Sequence, residues 1–149
     1  TMQHATPAHV HEIQPGAVHS GTVYDQTVVV ELLDGTDLEL FDSTVTSVTE
    51  EMVGEEISVV LFAQVRDSRS TERTKGGISI TDNGYKIVGK LSKKGVTNEW
   101  FPDDETELAE IDFDIGHILI DTNDIATLEV GDSINISAFR LDIIGVSSN

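Results

Sequence analysis

Apolar residues in this chain recur at every second position, and that period constrains the fold more than any other feature. Val28, Val30 and Leu32 alternate up to the dipeptide Asp34-Gly35, and Leu38 and Leu40 alternate away from it. A period of two sets one face of an extended strand against a core and leaves the other to solvent. Asp-Gly supplies the positive φ angles of a two-residue type I′ turn, so residues 23–41 are predicted to form a β-hairpin. Ile78 and Ile80 before Asn83-Gly84, with Ile87 and Leu91 after it, predict a second hairpin.

The intervening and flanking segments follow from the same local chemistry. Ser47 and Glu50 have capping-box spacing, Met52 and Val53 are apolar, and Gly54 is a C′ stop, so a short helix is predicted between the hairpins. Residues 57–65 read as a strand with Ile57, Val59, Leu61, Ala63 and Val65 on one face, and residues 18–24 as an additional strand turned at Asp25-Gln26. Residues 95–101 read as a loop. Pro102-Asp103-Asp104 then opens a predicted helix reaching Glu110, with acids in its first turn. Two β segments, 115–121 and 133–146, complete the chain. In the second, the alternation passes from Ile134, Ile136 and Ala138 to Phe139, Leu141 and Ile143, a change of parity that predicts a β-bulge near Ala138.

The predicted class is therefore all-β with minor short helices. Over residues 18–91 the order strand, strand, strand, helix, strand, loop, strand resembles that of an OB-type barrel, a small antiparallel barrel, here followed by an additional C-terminal β unit. A β-sandwich, or two related small β units, fits the same strand count. Residues 1–17, with Pro7 and Pro15, read as a tail ahead of a single compact domain over 18–149, with 18–94 and 103–149 as possible sub-units. Val53-Gly54-Glu55-Glu56-Ile57-Ser58-Val59 and Phe62 echo Val130-Gly131-Asp132-Ser133-Ile134-Asn135-Ile136 and Phe139, 77 residues apart. Gly beside an acid is a common turn into any strand, so the echo reads first as a turn and second as a duplication.

Charge is sorted along the chain far more sharply than hydrophobicity. Residues 66–94 hold eight basic residues against three acids, a net +5, while the other 120 residues hold Arg140 against 24 acids, a net −23. Such sorting marks a candidate contact surface made of Arg66, Arg69, Arg73, Lys75, Lys86, Lys90, Lys93 and Lys94. The whole chain carries −18, which opposes compaction unless salt screens it. Abundant Asp, Thr and Val with only five Lys resemble the composition of proteins from halophilic archaea, so most carboxylates read as solvating surface. With no cysteine, no basic n-region and no apolar run near the ~20 residues of a spanning helix, a cytoplasmic protein without membrane association is expected.

No nucleophile elbow, P-loop or dinucleotide fingerprint occurs, so no catalytic residue and no cofactor is assigned and a non-enzyme is expected. The basic segment suits an acidic protein surface or a second copy of the chain, because close Arg–carboxylate pairs survive salt better than long-range attraction. Single-stranded nucleic acid is the alternative. Against it, Glu31, Asp37 and Glu39 lie on the strands that would face phosphate, and Tyr85 alone stacks within the basic window. His9 and His11 are metal candidates through their strand spacing, with His19 or Glu12 as a third ligand. Asp112, Asp114, His117, Asp121 and Asp124 lack EF-hand spacing and read as a surface for bound salt ions. Trp100-Phe101-Pro102 reads as a plug at a barrel end. Screening of the net charge predicts that the thermal midpoint, followed by circular dichroism, rises between about 0.1 M and about 2 M KCl; an unchanged midpoint would show that the carboxylates do not oppose folding.

Overall fold

Two long strands pair with each other and supply walls to two closed rings. In the computed structural model, residues 2–43, 47–101, 105–125 and 127–148 are described. Along them run β1 (Ala5–Pro15), β2 (Val18–His19), β3 (Thr22–Val23), β4 (Asp25–Glu31), β5 (Asp37–Ser43), β6 (Glu56–Ser70), β7 (Gly77–Thr81), β8 (Gly84–Val96), β9 (Leu108–Asp112), β10 (His117–Asp121) and β11 (Ser133–Ser148). The first ring runs β1-β4-β5-β11-β6 and closes by β1–β6 pairing. The second runs β6-β10-β9-β8-β11 and closes by β8–β11 pairing, with β7 added at the edge of β8. β6 and β11 belong to both. This is an all-β, OB-like barrel fold, and each ring takes its fifth strand from the other half of the chain.

The rings repeat one connectivity. The antiparallel ladder β1–β4–β5 corresponds to β8–β9–β10. Parallel contact of β5 with β11 at Phe41–Asp142 corresponds to that of β10 with β6 at Leu119–Phe62. The 77-residue echo falls at equivalent turns. Gly54 N donates to Val10 O at 2.8 Å, and Gly131 N to Leu91 O at 2.8 Å. Val10 N in turn donates to Glu55 O at 3.0 Å, and Leu91 N to Asp132 O at 2.9 Å. Both glycines have positive φ, 87° and 99°, where an L side chain is strained. The echo is thus more than a common turn: it sets the entry of each shared strand.

The bulge expected near Ala138 is present, with register shifts between Ser137 and Ala138 and between Ala138 and Arg140. Changing parity flips which residues face inward. Ile134, Ile136 and Ala138 are buried before it, and Leu141 and Ile143 after it. The main core joins the interiors of both rings. A smaller cluster of Val60, Val96, Leu108 and Leu119 packs with partly buried Phe62 and Trp100, and Phe101 meets Phe62 edge-on with ring centroids 5.3 Å apart.

Several local expectations change. Residues 5–15 are not a tail but β1, with Thr6, Ala8 and Val10 buried; Pro7 lies on its partly exposed face. The 18–24 segment is the small β2–β3 hairpin, turning at Ser20-Gly21 rather than Asp25-Gln26, because those two residues carry the positive φ angles of 52° and 81°. Around Asp34-Gly35 only Gly35 has positive φ, and Leu32 N bonds Thr36 O at 2.8 Å, so the loop is longer than a two-residue turn. The second hairpin pairs Thr81 with Gly84, one residue earlier than expected. Gly84 is a strand residue that approaches the backbone of Ala138, whose carbonyl oxygen would lie 2.1 Å from a Cβ. The predicted helix after Ser47 shrinks to a 3-10 turn, Glu50–Met52, entered from Thr49 without a side-chain cap. Ser47 N donates instead to buried Asp42 at 3.1 Å. The helix expected over 102–110 begins outside the described residues, and its far end is β9, where burial of Leu108, Ala109, Glu110 and Ile111 in succession suits a strand covered on both faces.

Gly54→Ala and Gly131→Ala are each expected to cost about 1–2 kcal/mol in urea unfolding, the strain of a left-handed L residue. A cost at one site alone would break the equivalence of the two turns.

Candidate functional site

The basic segment begins where β6 leaves the first ring and ends with β8. Its members do not act alike. Arg66 Nη2 donates to Asn83 O at 3.0 Å. Arg69 pairs with Asp67 at 2.7 Å, and its hydrogen bond and charge hold the Asp67 carboxyl below the ordinary value. Lys93 and Lys94 border a cavity of about 250 Å³ with His4, Gly95 and Trp100. Lys90 is exposed on the outward face of β8.

Arg73, Lys75 and Lys86 converge. With Ser79, Gly76 and Gly77 they line a cavity of about 350 Å³. Gly76 N donates to Asp114 Oδ2 at 2.8 Å, and a Cβ at Gly76 would lie 2.7 Å from the Phe113 carbonyl carbon, so close approach pins the 71–76 loop to the β9–β10 turn. Lys86 and Ser79 are direct cross-strand partners, so ammonium and hydroxyl rise from one face of the β7–β8 hairpin. Among the described residues no carboxylate lines this cavity, and none pairs with Arg73, Lys75 or Lys86. Three unneutralised cations around a concavity focus potential on an anion. By contrast Arg140, outside the segment, forks onto Asp142 at 2.6 and 3.0 Å and lies 4.2 Å from the Phe41 ring centroid.

Four of the five histidines fall into two pairs. His9 and His11 lie on the outward face of β1 with ring centroids 5.2 Å apart. His19 lies on the separate β2–β3 hairpin, and Glu12 accepts from Gln14 at 2.8 Å. The groups beside His11 are Glu31 and Asp37, from the neighbouring hairpin. His4 and His117 instead flank Glu110, a buried acid with no special mark in so acidic a sequence. His4 Nδ1 bonds Glu110 Oε2, Ser92 Oγ donates to Glu110 Oε1 at 2.7 Å, and His117 Nδ1 stands 3.5 Å from that same oxygen. Thr6 Oγ1 donates to His117 O at 2.7 Å, joining β1 of the first ring to β10 of the second. Trp100 closes over His4 edge-on, with centroids 5.9 Å apart. The cluster is a joint between rings.

Asp112, Asp114, Asp121 and Asp124 do not converge as a ligand set. Asp112 Oδ1 accepts Asp114 N and Asp121 Oδ1 accepts Asn123 N, both at 2.9 Å, as turn residues do. Burial and the nearby Asp121 charge push the Asp124 carboxyl up. Among the described residues no helix is long and apolar enough to cross a membrane.

No protein-family model and no curated protein matches the sequence. Solved structures share the fold. A crystal structure of the cytoplasmic molybdate-binding protein ModG, with molybdate bound, superposes with a TM-score of 0.52 at 12% identity, over 99% of this chain and 96% of that one. At that identity the likeness is one of fold, and the neighbour is a binding protein.

Burial pushes the Glu110 carboxyl up, but hydrogen bonds from Ser92 and His4 and the charges of His117 and His4 outweigh it and hold the group below the ordinary glutamate value. A depressed folded-state value contributes stability above the ordinary range, lost as pH falls through the folded value. Glu110→Gln is therefore expected to lower stability at neutral pH and to flatten its decline below the ordinary glutamate range, measured by denaturant unfolding across pH. An equally steep decline in the variant would show that other carboxylates carry the acid sensitivity.

Proposed function

We propose that this chain is a non-catalytic β-barrel module that binds a small tetrahedral oxyanion in the cavity of Arg73, Lys75, Lys86 and Ser79. The observation that carries the reading is the convergence of three unpaired cations and a hydroxyl, with no lining carboxylate among the described residues, in a chain of net charge −18. A guanidinium offers two parallel donors to an oxyanion edge, while ammonium groups supply charge with little directional demand. Likeness of fold to a molybdate-binding protein supports the ligand class. The acid-rich surface supports a halophile's protein, and in concentrated salt the affinity rests on short contacts inside the cavity, since longer-range attraction is screened.

Self-association through the same hairpin is the second reading, favoured by Ile80 and Phe139, which are 58% and 51% exposed near its tip. An acidic partner protein and single-stranded nucleic acid compete for the same cations. Isothermal titration with molybdate, sulfate and phosphate distinguishes these readings. One oxyanion is expected to bind each chain, and Arg73→Ala/Lys86→Ala to weaken it at least about tenfold, the scale of one lost charged hydrogen bond. Binding unchanged in that variant, or no binding of any of the three anions, would overturn the proposal. Light scattering of Arg69→Glu/Arg73→Glu tests self-association, and oligonucleotide binding in high KCl tests the nucleic-acid reading.

A further inference from the structure

The outward face of the first ring carries the opposite chemistry. Four adjacent strands align Glu56 of β6, His9 of β1, Glu31 of β4 and Asp37 of β5 as successive cross-strand partners. Residues in direct register stand side by side on one face of a sheet. His11 joins them through an irregularity of β1, where the register with β4 shifts between Val10 and Glu12. Its Nε2 lies 2.9 Å from Glu31 Oε1 and 3.8 Å from Asp37 Oδ1, and one donor atom of each of the three residues lies within 4.8 Å of the others. His9, His11, Glu31 and Glu56 also border an open cavity of about 400 Å³, so the group is accessible.

We propose that His11, Glu31 and Asp37 form a binding site for a divalent transition-metal ion of the zinc class, with His9 beside it. Donor atoms around a tetrahedral zinc stand about 3.3 Å apart, given zinc–nitrogen and zinc–oxygen distances near 2.0–2.2 Å. The three side chains reach that spacing by small rotations, because all are at least 40% exposed and none is held by core packing. Two carboxylates balance the ion's charge. The imidazole sets the selectivity: nitrogen favours zinc, cobalt, nickel and copper, whereas magnesium and calcium take oxygen. A surrounding charge of −18 raises the local cation concentration without distinguishing metals, so the nitrogen ligand is what makes this a site. It lies on other strands than the Arg73–Lys86 cavity and stands whether or not that cavity binds an oxyanion.

The test uses untagged, chelator-treated protein, with zinc and magnesium titrated separately by calorimetry and cobalt by visible absorption. Expected are one zinc per chain bound at least about tenfold more tightly than magnesium, and a tetrahedral cobalt spectrum. His11→Asn and Glu31→Gln are expected to weaken zinc at least about tenfold, the scale seen even for groups that only support a ligand, while His19→Asn and Lys86→Ala leave it unchanged. Equal affinity for zinc and magnesium, or zinc binding indifferent to His11→Asn, would overturn the proposal. Should His11→Asn misfold, nickel added to the wild type still decides: selective broadening of the His11 imidazole resonances supports the site, and equal broadening of His19 removes it.

Discussion

Antiparallel pairing of β6 with β11 is the constraint on which the rest of the structure depends. Each strand is long enough to serve one ring with its first half and the other ring with its second. A straight ladder cannot do this, because a strand of fixed parity keeps one set of side chains on one face. The register shifts around Ala138, with a further one between Ile143 and Gly145, let β11 present Ile134 and Ile136 to the second ring and Leu141 and Ile143 to the first. Closure then leaves few free edges, and the strand at one of them, β7, is only five residues long.

That shared pair also explains where the charge boundary falls. The first half of β6 is apolar, with Ile57, Val59, Val60, Leu61 and Ala63 buried, while its last residues, from Arg66 to Ser70, are exposed or half-exposed. Opposite them β11 supplies Ile134 and Ile136, paired in register with Ser70 and Ser68. The second ring therefore takes more of its core from one partner of the pair. Its outer surface begins with the basic residues, and the change of charge coincides with the crossing between rings.

Local pattern made some of this legible. The strands of both hairpins, the 57–65 strand and the bulge at Ala138 rest on alternation and parity, which are properties of neighbouring residues. Ring closure is not local: Ile57 pairs with Ser148, and Ala5 with Val60. Residues 5–15 are obscured by Pro7, Pro15 and two histidines, although Thr6, Ala8 and Val10 already alternate. The 108–112 strand shows no alternation because its neighbours bury both faces. The echo at Gly54 and Gly131 falls at equivalent turns of the two rings: Gly beside an acid is a common turn, and here both glycines donate to matched carbonyls, of Val10 and of Leu91.

Candidate sites were legible in proportion to how rare their residues are. Eight basic residues in an acidic chain stand out, but only tertiary structure divides them into Arg73, Lys75 and Lys86 around one cavity, Lys93 and Lys94 around another, and Arg69 neutralised by Asp67. His9 and His11 stand out for the same reason. Glu31 and Asp37 do not, because nothing local distinguishes two of 27 acids until β4 and β5 bring them beside β1. One connectivity used twice thus carries surfaces of opposite sign, histidine and carboxylate on the first ring and arginine and lysine on the second. The ring fixes positions, and the side chains placed on its outer face decide the chemistry.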